Sequence, residues 1–290
     1  MVTLLGLCAV ATLAVTMGIA VVLAGETVRF FRAVSPVRFL TGTEWAPVGG
    51  TAESGSFGVL PLLNGTALVV AGALVVGLPL GLATAIYLSE YAGPRVRAVL
   101  KPVLEMLAGI PTVVVGYFAL HFVTPNLLRP LFGADRVFIF NAAAGAIAVG
   151  LMILPIIASV SEDAMRAVPV SLREAAYGLG ATRRTVAVRV VVPAALSGIG
   201  ASVILAVSRA VGETMAVTIA AGNTPRITAD IFSSVQTVTA AIANTFGGEV
   251  AAGTTRYHAM FALGTFLFVS TLTMNILSNR LVRRFRQEYQ

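Results

Sequence analysis

Charge is scarce in this 290-residue chain. Asp, Glu, Lys and Arg make up 11% of it while 57% is hydrophobic, against about 25% charged in a soluble domain. That scarcity excludes an ordinary water-soluble domain and points to a chain solvated by lipid. The single cysteine, Cys8, excludes an internal disulfide and any multi-cysteine metal site. The two histidines, His121 and His258, lie far apart, so no zinc-ligand spacing exists. The phosphate-binding loop G-x-x-x-x-G-K-[ST] is missing, so the chain does not supply its own ATP hydrolysis. Lysine is nearly absent: of 20 basic residues only Lys101 is not arginine. A net charge of +7 would suggest nucleic acid in a soluble protein. In a membrane chain it reflects basic loops on one side of the bilayer, and no nucleic-acid partner is expected.

What is present is a set of long apolar runs. A helix needs about 20 apolar residues to cross the hydrocarbon core. Six segments meet this: 2–24, 63–87, 103–123, 138–160, 195–221 and 258–278. Pro79, Pro111 and Pro155 predict kinks or packed irregular turns within them. The links after segments two and four and the C-terminal tail hold Arg95, Arg97, Lys101, Arg166, Arg173, Arg183, Arg184, Arg189, Arg280, Arg283, Arg284 and Arg286. The opposite loops hold seven basic residues: Arg29, Arg32, Arg38, Arg129, Arg136, Arg226 and Arg256. The bias places both termini in the cytoplasm of a multi-pass protein. The first run lacks a basic start and exceeds the 7–15 residues of a signal core, so it reads as a retained anchor.

The outer loops carry turn signals: TEWAPVGG and TAESGSFG in the first, AGNTP and TFGGE in the third. Trp45, the only tryptophan, fits either a headgroup-level ring or packing within the loop. Asn64-Gly65-Thr66 matches a glycosylation acceptor but sits at a helix entrance, where a capping Asn is the better reading.

The most informative stretch is SLREAAYGLGATRRTVAVRVVVPAALSG, residues 171–198. Ser171 and Glu174 have capping-box spacing, which predicts a helix starting at Ser171. Gly180 is a helix stop, Thr182 caps a second short helix, and Pro193 closes or kinks it. The result is a helix-turn-helix at the membrane surface. Glu174-Ala175-Ala176, three residues, Gly180, nine residues, then Val190-x-Val192-Pro193 resembles the EAA loop of ABC importer permeases, EAA-x3-G-x9-I-x-L-P, with valines for Ile and Leu. The further stretches FLTGTEWAPV, FGVLPLLNGTALVV, PLGLATAIYLSEYA, EMLAGIPTVVVGY, LPIIASVSEDAMRAVP and SRAVGETMAV together resemble the PstC-type subunit of phosphate-specific ABC permeases, within the MetI-like family. The resemblance covers nearly everything after about residue 36.

It implies an all-α, six-helix, non-catalytic membrane subunit of a phosphate importer in a bacterial plasma membrane. The partners it implies are a PstA-type permease forming a heterodimer, an ATPase dimer that uses the ATP, and an extracytoplasmic phosphate-binding protein. It makes Ser171, Glu174, Ala175, Ala176, Gly180 and Pro193 the ATPase-coupling set. The expected organisation is an anchor helix over 1–25, an outer loop over 26–62 and a permease core over 63–290, with a coupling loop at 161–194. No bound cofactor is expected.

Within the fifth apolar run, SRAVGETMA (208–216) carries two full charges. Either charge at a helix centre costs about 2.5–3.5 kcal/mol on insertion scales. Arg209 and Glu213 are four apart and share a helix face, but pairing does not make the run better than an apolar one. One reading is an ion pair that fixes helix rotation. The other is that Arg209 lines an anion path, its guanidinium offering two parallel N–H groups to an oxyanion. Glu213 then holds Arg209 and weakens the field so the anion is not trapped. Ser208 and Thr214 add hydroxyls. Family resemblance favours the second reading, with inorganic phosphate as cargo.

Glu105 reads as a surface residue, His121 as a packed or snorkelling one, and Glu162 and Asp163 as helix-capping acids. The rival functions are a permease for another oxyanion such as sulfate or molybdate, an ion-coupled secondary transporter, and a structural scaffold. The EAA spacing speaks against the second. The third leaves Arg209 and Glu213 unexplained.

Overall fold

A computed structural model describes residues 1–47, 55–248 and 250–284. Helix α1 (Val2–Ala33) leads into the short α2 (Pro36–Thr41) and a hairpin of β1 (Trp45–Ala46) and β2 (Ser56–Phe57), with Trp45 opposite Phe57. Next come α3 (Leu60–Ile86), extended by a wide turn over Tyr87–Tyr91, and α4 (Pro94–Ala108). α5 (Thr112–Phe118) passes through wide turns at Ala119–Leu128 into α6 (Arg129–Phe132). α7 (Ala142–Arg166) is followed by α8 (Val170–Gly178), α9 (Arg183–Val186), wide turns at Ala187–Val191, and α10 (Val192–Ala194). The chain ends in α11 (Leu196–Val211), α12 (Met215–Ala220), α13 (Val238–Phe246) and α14 (Thr255–Arg284).

Among the described residues, four helices are long and apolar enough to cross a bilayer: Leu5–Ala33, Leu60–Tyr91, Ala142–Arg166 and Thr255–Leu277. Two further candidates are bent pairs, Pro94–Ala108 with Thr112–Phe132 at 90° and Arg183–Ala194 with Leu196–Val211 at 70°. Six spans result when each bent pair counts as one.

Within the run 103–123 the irregular turn expected at Pro111 is a full break. Pro111 lacks an amide and stands at the N-cap of α5, so the helix stops at Ala108 and restarts. The helix expected over 195–221 is likewise interrupted, between α11 and α12. α3 and α7, by contrast, run on through Pro79 and Pro155. α1 continues to Ala33, so the loop expected from residue 26 begins as helix. The turn signals over 48–54, Glu249 and Arg286 lie outside the described residues.

The centre of the bundle is α3 against α7. Buried positions of α3 recur every four residues, at Gly65, Val69, Ala73, Gly77, Gly81 and Ala85. Small residues at this spacing let two helix backbones approach in lipid, where no hydrophobic drive separates protein from solvent. A Cβ on Gly77 would lie 2.8 Å from both the Gly150 carbonyl oxygen and Ile153 Cγ1. Ala206 and Ala210 of α11 join Ile153 and Ile157 in the same core.

At the hairpin end, Phe30, Phe39, Trp45 and Phe57 pack with Met260 and Leu263. Trp45 is buried and meets Phe57 edge-to-face at 6.2 Å, which decides for packing within the loop over a headgroup position. α1 and α14 run antiparallel, joined by the Thr27 and Thr265 hydroxyls at 2.7 Å and by His258 Nδ1 at 2.7 Å from Glu26 Oε2.

Candidate functional site

The charged pair sits at a break. Arg209 occupies the last turn of α11, and Glu213 follows Gly212, the residue that closes the helix. The Gly212 amide donates to Ser208 O at 3.3 Å and the Glu213 amide to Ala210 O at 3.2 Å, tightening the final turn. Arg209 Nη1 then reaches Glu213 Oε2 at 3.0 Å. The other carboxylate oxygen accepts the Ala216 amide at 3.3 Å, in the first turn of α12. A carboxylate is favoured there by the unsatisfied amides of a helix start.

Glu213 thus holds two helix ends at once. Its side chain is 3% exposed, whereas that of Arg209 is 44% exposed. Leu205, one turn before Arg209 in α11, and Met215, beyond the break, are also exposed. A guanidinium carries five N–H donors, and this one is partly exposed while its counter-charge stays buried. That arrangement can bind an oxyanion without leaving the resting cation unpaired.

The hydroxyls expected beside the pair are otherwise engaged. Ser208 Oγ donates to Asn275 Oδ1 at 2.7 Å and ties α11 to α14. Thr214 Oγ1 donates to the nearby Gly212 O at 3.3 Å. Among the described residues no group of three His, Cys, Asp or Glu side chains comes together as metal ligands.

A loop joins α12 to α13. Its neck is the Val235 amide donating to Ala221 O at 3.1 Å. It supplies the acceptors for the start of α7: Ala142 N–H to Ser233 O at 3.0 Å and Ala143 N–H to Ile231 O at 2.8 Å. On the other side it lies along α3. The Thr228 amide donates to Asn64 Oδ1 at 2.9 Å and the Val238 amide to Thr66 Oγ1 at 3.1 Å. A Cβ on Gly65, between them, would run into the Gln236 carbonyl. Asn64 is therefore not a helix cap, because α3 already begins at Leu60. The Asn-Gly-Thr strip instead receives a distant loop.

At the opposite end of the bundle lies α8. It starts at Val170 with Pro169 at the N-cap, and no side chain caps it. The capping box expected between Ser171 and Glu174 does not form, since Pro169 has already set the entry into the helix and Ser171 falls inside the first turn. Its C-terminus does follow the sequence reading. Gly180 has φ +80°, and the Gly180 and Ala181 amides donate to Tyr177 O and Ala176 O at 2.9 and 3.1 Å. This is the paired ending that a left-handed glycine permits. Thr182 caps α9 by accepting the Thr185 amide. Pro193 sits within α10, and the bend falls two residues later, at Ala195. Glu174 and Ala175 are exposed, Ala176 is half-buried, and Leu179 at the tip is 90% exposed.

Two ionic knots anchor this end. Arg173 donates to Val168 O at 2.6 Å, Met165 O at 2.8 Å and Glu90 Oε1 at 3.1 Å, binding α8 to the ends of α7 and α3. Glu162, fully buried, receives Arg97 Nε and Lys101 Nζ, both at 2.8 Å, with Arg166 Nε at 3.7 Å. Asp163, 60% exposed, takes Lys101 at 2.6 Å. Glu162 and Asp163 thus lie in the last turns of α7 and pair with α4, in place of the capping role expected of them. Glu105 is exposed on α4, as expected, and the His121 ring stacks on Tyr117 at 3.9 Å. Glu90 went unnoticed in the sequence. Its one local signal was a carboxylate closing an apolar run.

Residues 77–287 match the family model described as the binding-protein-dependent transport system inner membrane component. The chain is 34% identical over 279 residues to the probable ABC transporter permease protein YqgH of Bacillus subtilis, covering 96% of this chain and 88% of that one. It is 35% identical over 262 residues to the phosphate transport system permease protein PstC of Mesorhizobium japonicum (85% and 78%). It is 34% identical over 265 residues to that of Haemophilus influenzae (86% and 82%). Its fold resembles a bacterial alginate ABC transporter solved in complex with a periplasmic protein bound to alginate pentasaccharide, with TM-score 0.64 at 15% identity over 92% of this chain and 89% of the other. It also resembles the inward-facing MetNI methionine ABC transporter, with TM-score 0.56 at 19% identity over 79% and 94%.

Proposed function

The chain belongs to the binding-protein-dependent transport system inner membrane components and is a non-catalytic, membrane-embedded permease subunit of an ABC importer; we propose that its cargo is inorganic phosphate and that Arg209 meets the anion in the path. The observation that carries the reading is the helix break itself. It presents a partly exposed guanidinium beside a buried carboxylate that neutralises it. Phosphate carries between about one and two negative charges near neutral pH, and a desolvated crossing needs a fixed positive partner. The relatives named as phosphate permeases support the same cargo.

In this reading the 63–290 core forms half of the path, and a PstA-type subunit covers the open face of α11 to complete a heterodimer. The chain lies in a bacterial plasma membrane with both termini in the cytoplasm, anchored by its first helix, α1, which ends at Ala33, and the segment from there to residue 62 is outside. The 161–194 stretch is the coupling loop. Its helix α8, with Ser171, Glu174, Ala175, Ala176, Gly180 and Pro193, contacts one member of an ATPase dimer. The exposed Leu179 tip and the Glu174–Ala175 face support that docking. A phosphate-binding protein delivers cargo to the hairpin end.

The test is uptake of radiolabelled phosphate by the reconstituted importer with its binding protein. Unlabelled phosphate is expected to compete, while sulfate and molybdate do not. Competition by sulfate or molybdate alone would move the assignment to that oxyanion. Arg209→Gln is expected to abolish uptake in a complex that still assembles with the ATPase. Wild-type uptake by that complex sinks the role given to Arg209.

A further inference from the structure

The loop over 222–234 is joined at both ends to groups that hold Glu213. At its start, α12 presents the Ala216 amide to Glu213 Oε1 at 3.3 Å. At its end, Thr239 in the first turn of α13 donates its hydroxyl to the Glu213 carbonyl at 2.7 Å. That carbonyl lies in the break between two helices, where no intrahelical amide is at hand, and Thr239 is buried. The hydroxyl has no slack: it also lies 3.1 Å from Thr237 Oγ1, which caps α13 by accepting the Ala240 amide. The start of α13 is fixed from outside by α3, through Thr66 and the Val238 amide. A continuous line of contacts therefore runs from α3 through Thr66, Val238 and Thr239 to the backbone of Glu213, and from its carboxylate to Arg209.

From this geometry we infer that Thr239 and Thr66 are positioning residues for the Arg209–Glu213 pair. Thr239 holds the backbone of Glu213 while the Ala216 amide holds its side chain. Loss of the Thr239 tether frees the Glu213 backbone in the break, and its carboxylate then fixes Arg209 less firmly. The inference rests on the assignment of Arg209 to the cargo path.

The experiment is radiolabelled phosphate uptake by the full importer, with the amount of assembled complex measured for each variant. Thr239→Val keeps the shape and removes the donor. It is expected to lower the maximal rate about tenfold, the scale of a buried carbonyl left unpaired, with the half-saturating phosphate concentration changed much less. Thr239→Ser restores the donor and is expected to recover most of the rate. Thr245→Val, on the same helix but bonded only to Ala241 O, is expected to transport normally. Thr66→Val, which frees the Val238 amide, is the second variant and is expected to act in the same direction. Wild-type rates in both Thr239→Val and Thr66→Val overturn the inference. So does a Thr239→Ser variant as slow as Thr239→Val, since methyl packing would then be the cause. Arg209→Gln separates the two levels. Uptake retained there overturns the path assignment and this inference with it. Uptake lost there but normal in the threonine variants overturns the inference alone.

Discussion

Arg173 Nη2 stands 3.1 Å from Glu90 Oε1, across 83 residues of sequence, and the same guanidinium takes the Val168 and Met165 carbonyls. The surface helix α8 is thereby fastened to the ends of the two helices that form the bundle centre. Movement of α8 reaches α3 and α7 directly, and α7 packs on α11, which carries Arg209.

Arg173→Ala removes the cation beside the buried Glu90 and a charged donor from two carbonyls, a local cost of about 2–4 kcal/mol, although Ser89 Oγ still reaches Glu90 Oε1 and the Val168 amide still reaches Met165 O. Hydrogen exchange in α8 is expected to accelerate, and uptake is expected to fall while ATP hydrolysis by the partner subunits continues. Arg173→Lys keeps the charge, but one ammonium does not reproduce the planar fork. It should fall between alanine and wild type. Undisturbed exchange in Arg173→Ala would refute the fastening.

Glu162 and Asp163 are neighbours with opposite expected weights. Glu162 is fully buried under Arg97 and Lys101, whereas the Asp163 side chain is 60% exposed. Glu162→Ala removes the buried partner shared by Arg97, Lys101 and Arg166 and is expected to cost about 3–5 kcal/mol. Asp163→Asn is expected to cost less than about 1 kcal/mol. Thermal unfolding of the purified complex in detergent measures both, and an Asp163 effect as large as that of Glu162 contradicts the assignment.

At the α3–α7 contact, Gly77→Val forces the backbones apart, since even the first added carbon meets the Gly150 carbonyl at 2.8 Å. Overpacking of this kind costs about 1–3 kcal/mol or more, and reduced assembled complex is the expected readout. Gly18→Ala in α1, where nothing lies within 4 Å, is the control and is expected to be neutral or slightly stabilising, by up to about 1 kcal/mol.

Gly180 holds φ +80° at the end of α8. An alanine there costs about 1–2 kcal/mol in the left-handed region and loosens the turn that orients the helix. Gly180→Ala is expected to raise the ATP hydrolysed per phosphate imported in reconstituted vesicles. An unchanged ratio counts against the coupling role of this turn.

Much of the architecture was legible because it is local. Lipid requires long apolar runs, so six spans could be counted from composition alone. The end of α8 at Gly180 and the Thr182 cap follow from backbone chemistry within a few residues. Arg209 and Glu213 were legible as a pair for the same reason, four residues apart. The local readings that failed did so where a neighbour intervened. Pro169 took the cap position from Ser171, and the early start of α3 at Leu60 left Asn64 inside the helix.

The sequence by itself determined a membrane protein of six apolar runs, a one-sided charge bias and a charged pair in an apolar setting, because each depends on solvation or on neighbours along the chain. Tertiary structure alone decided which carboxylates are buried hubs and which threonines reach the site. Glu162 meets Arg97 across 65 residues, Thr66 meets Val238 across 172, and Thr239 meets Glu213 across 26. No periodicity along a helix encodes such pairings. They exist because burial obliges each polar group to find a partner, and only the packed helices settle which partner is within reach.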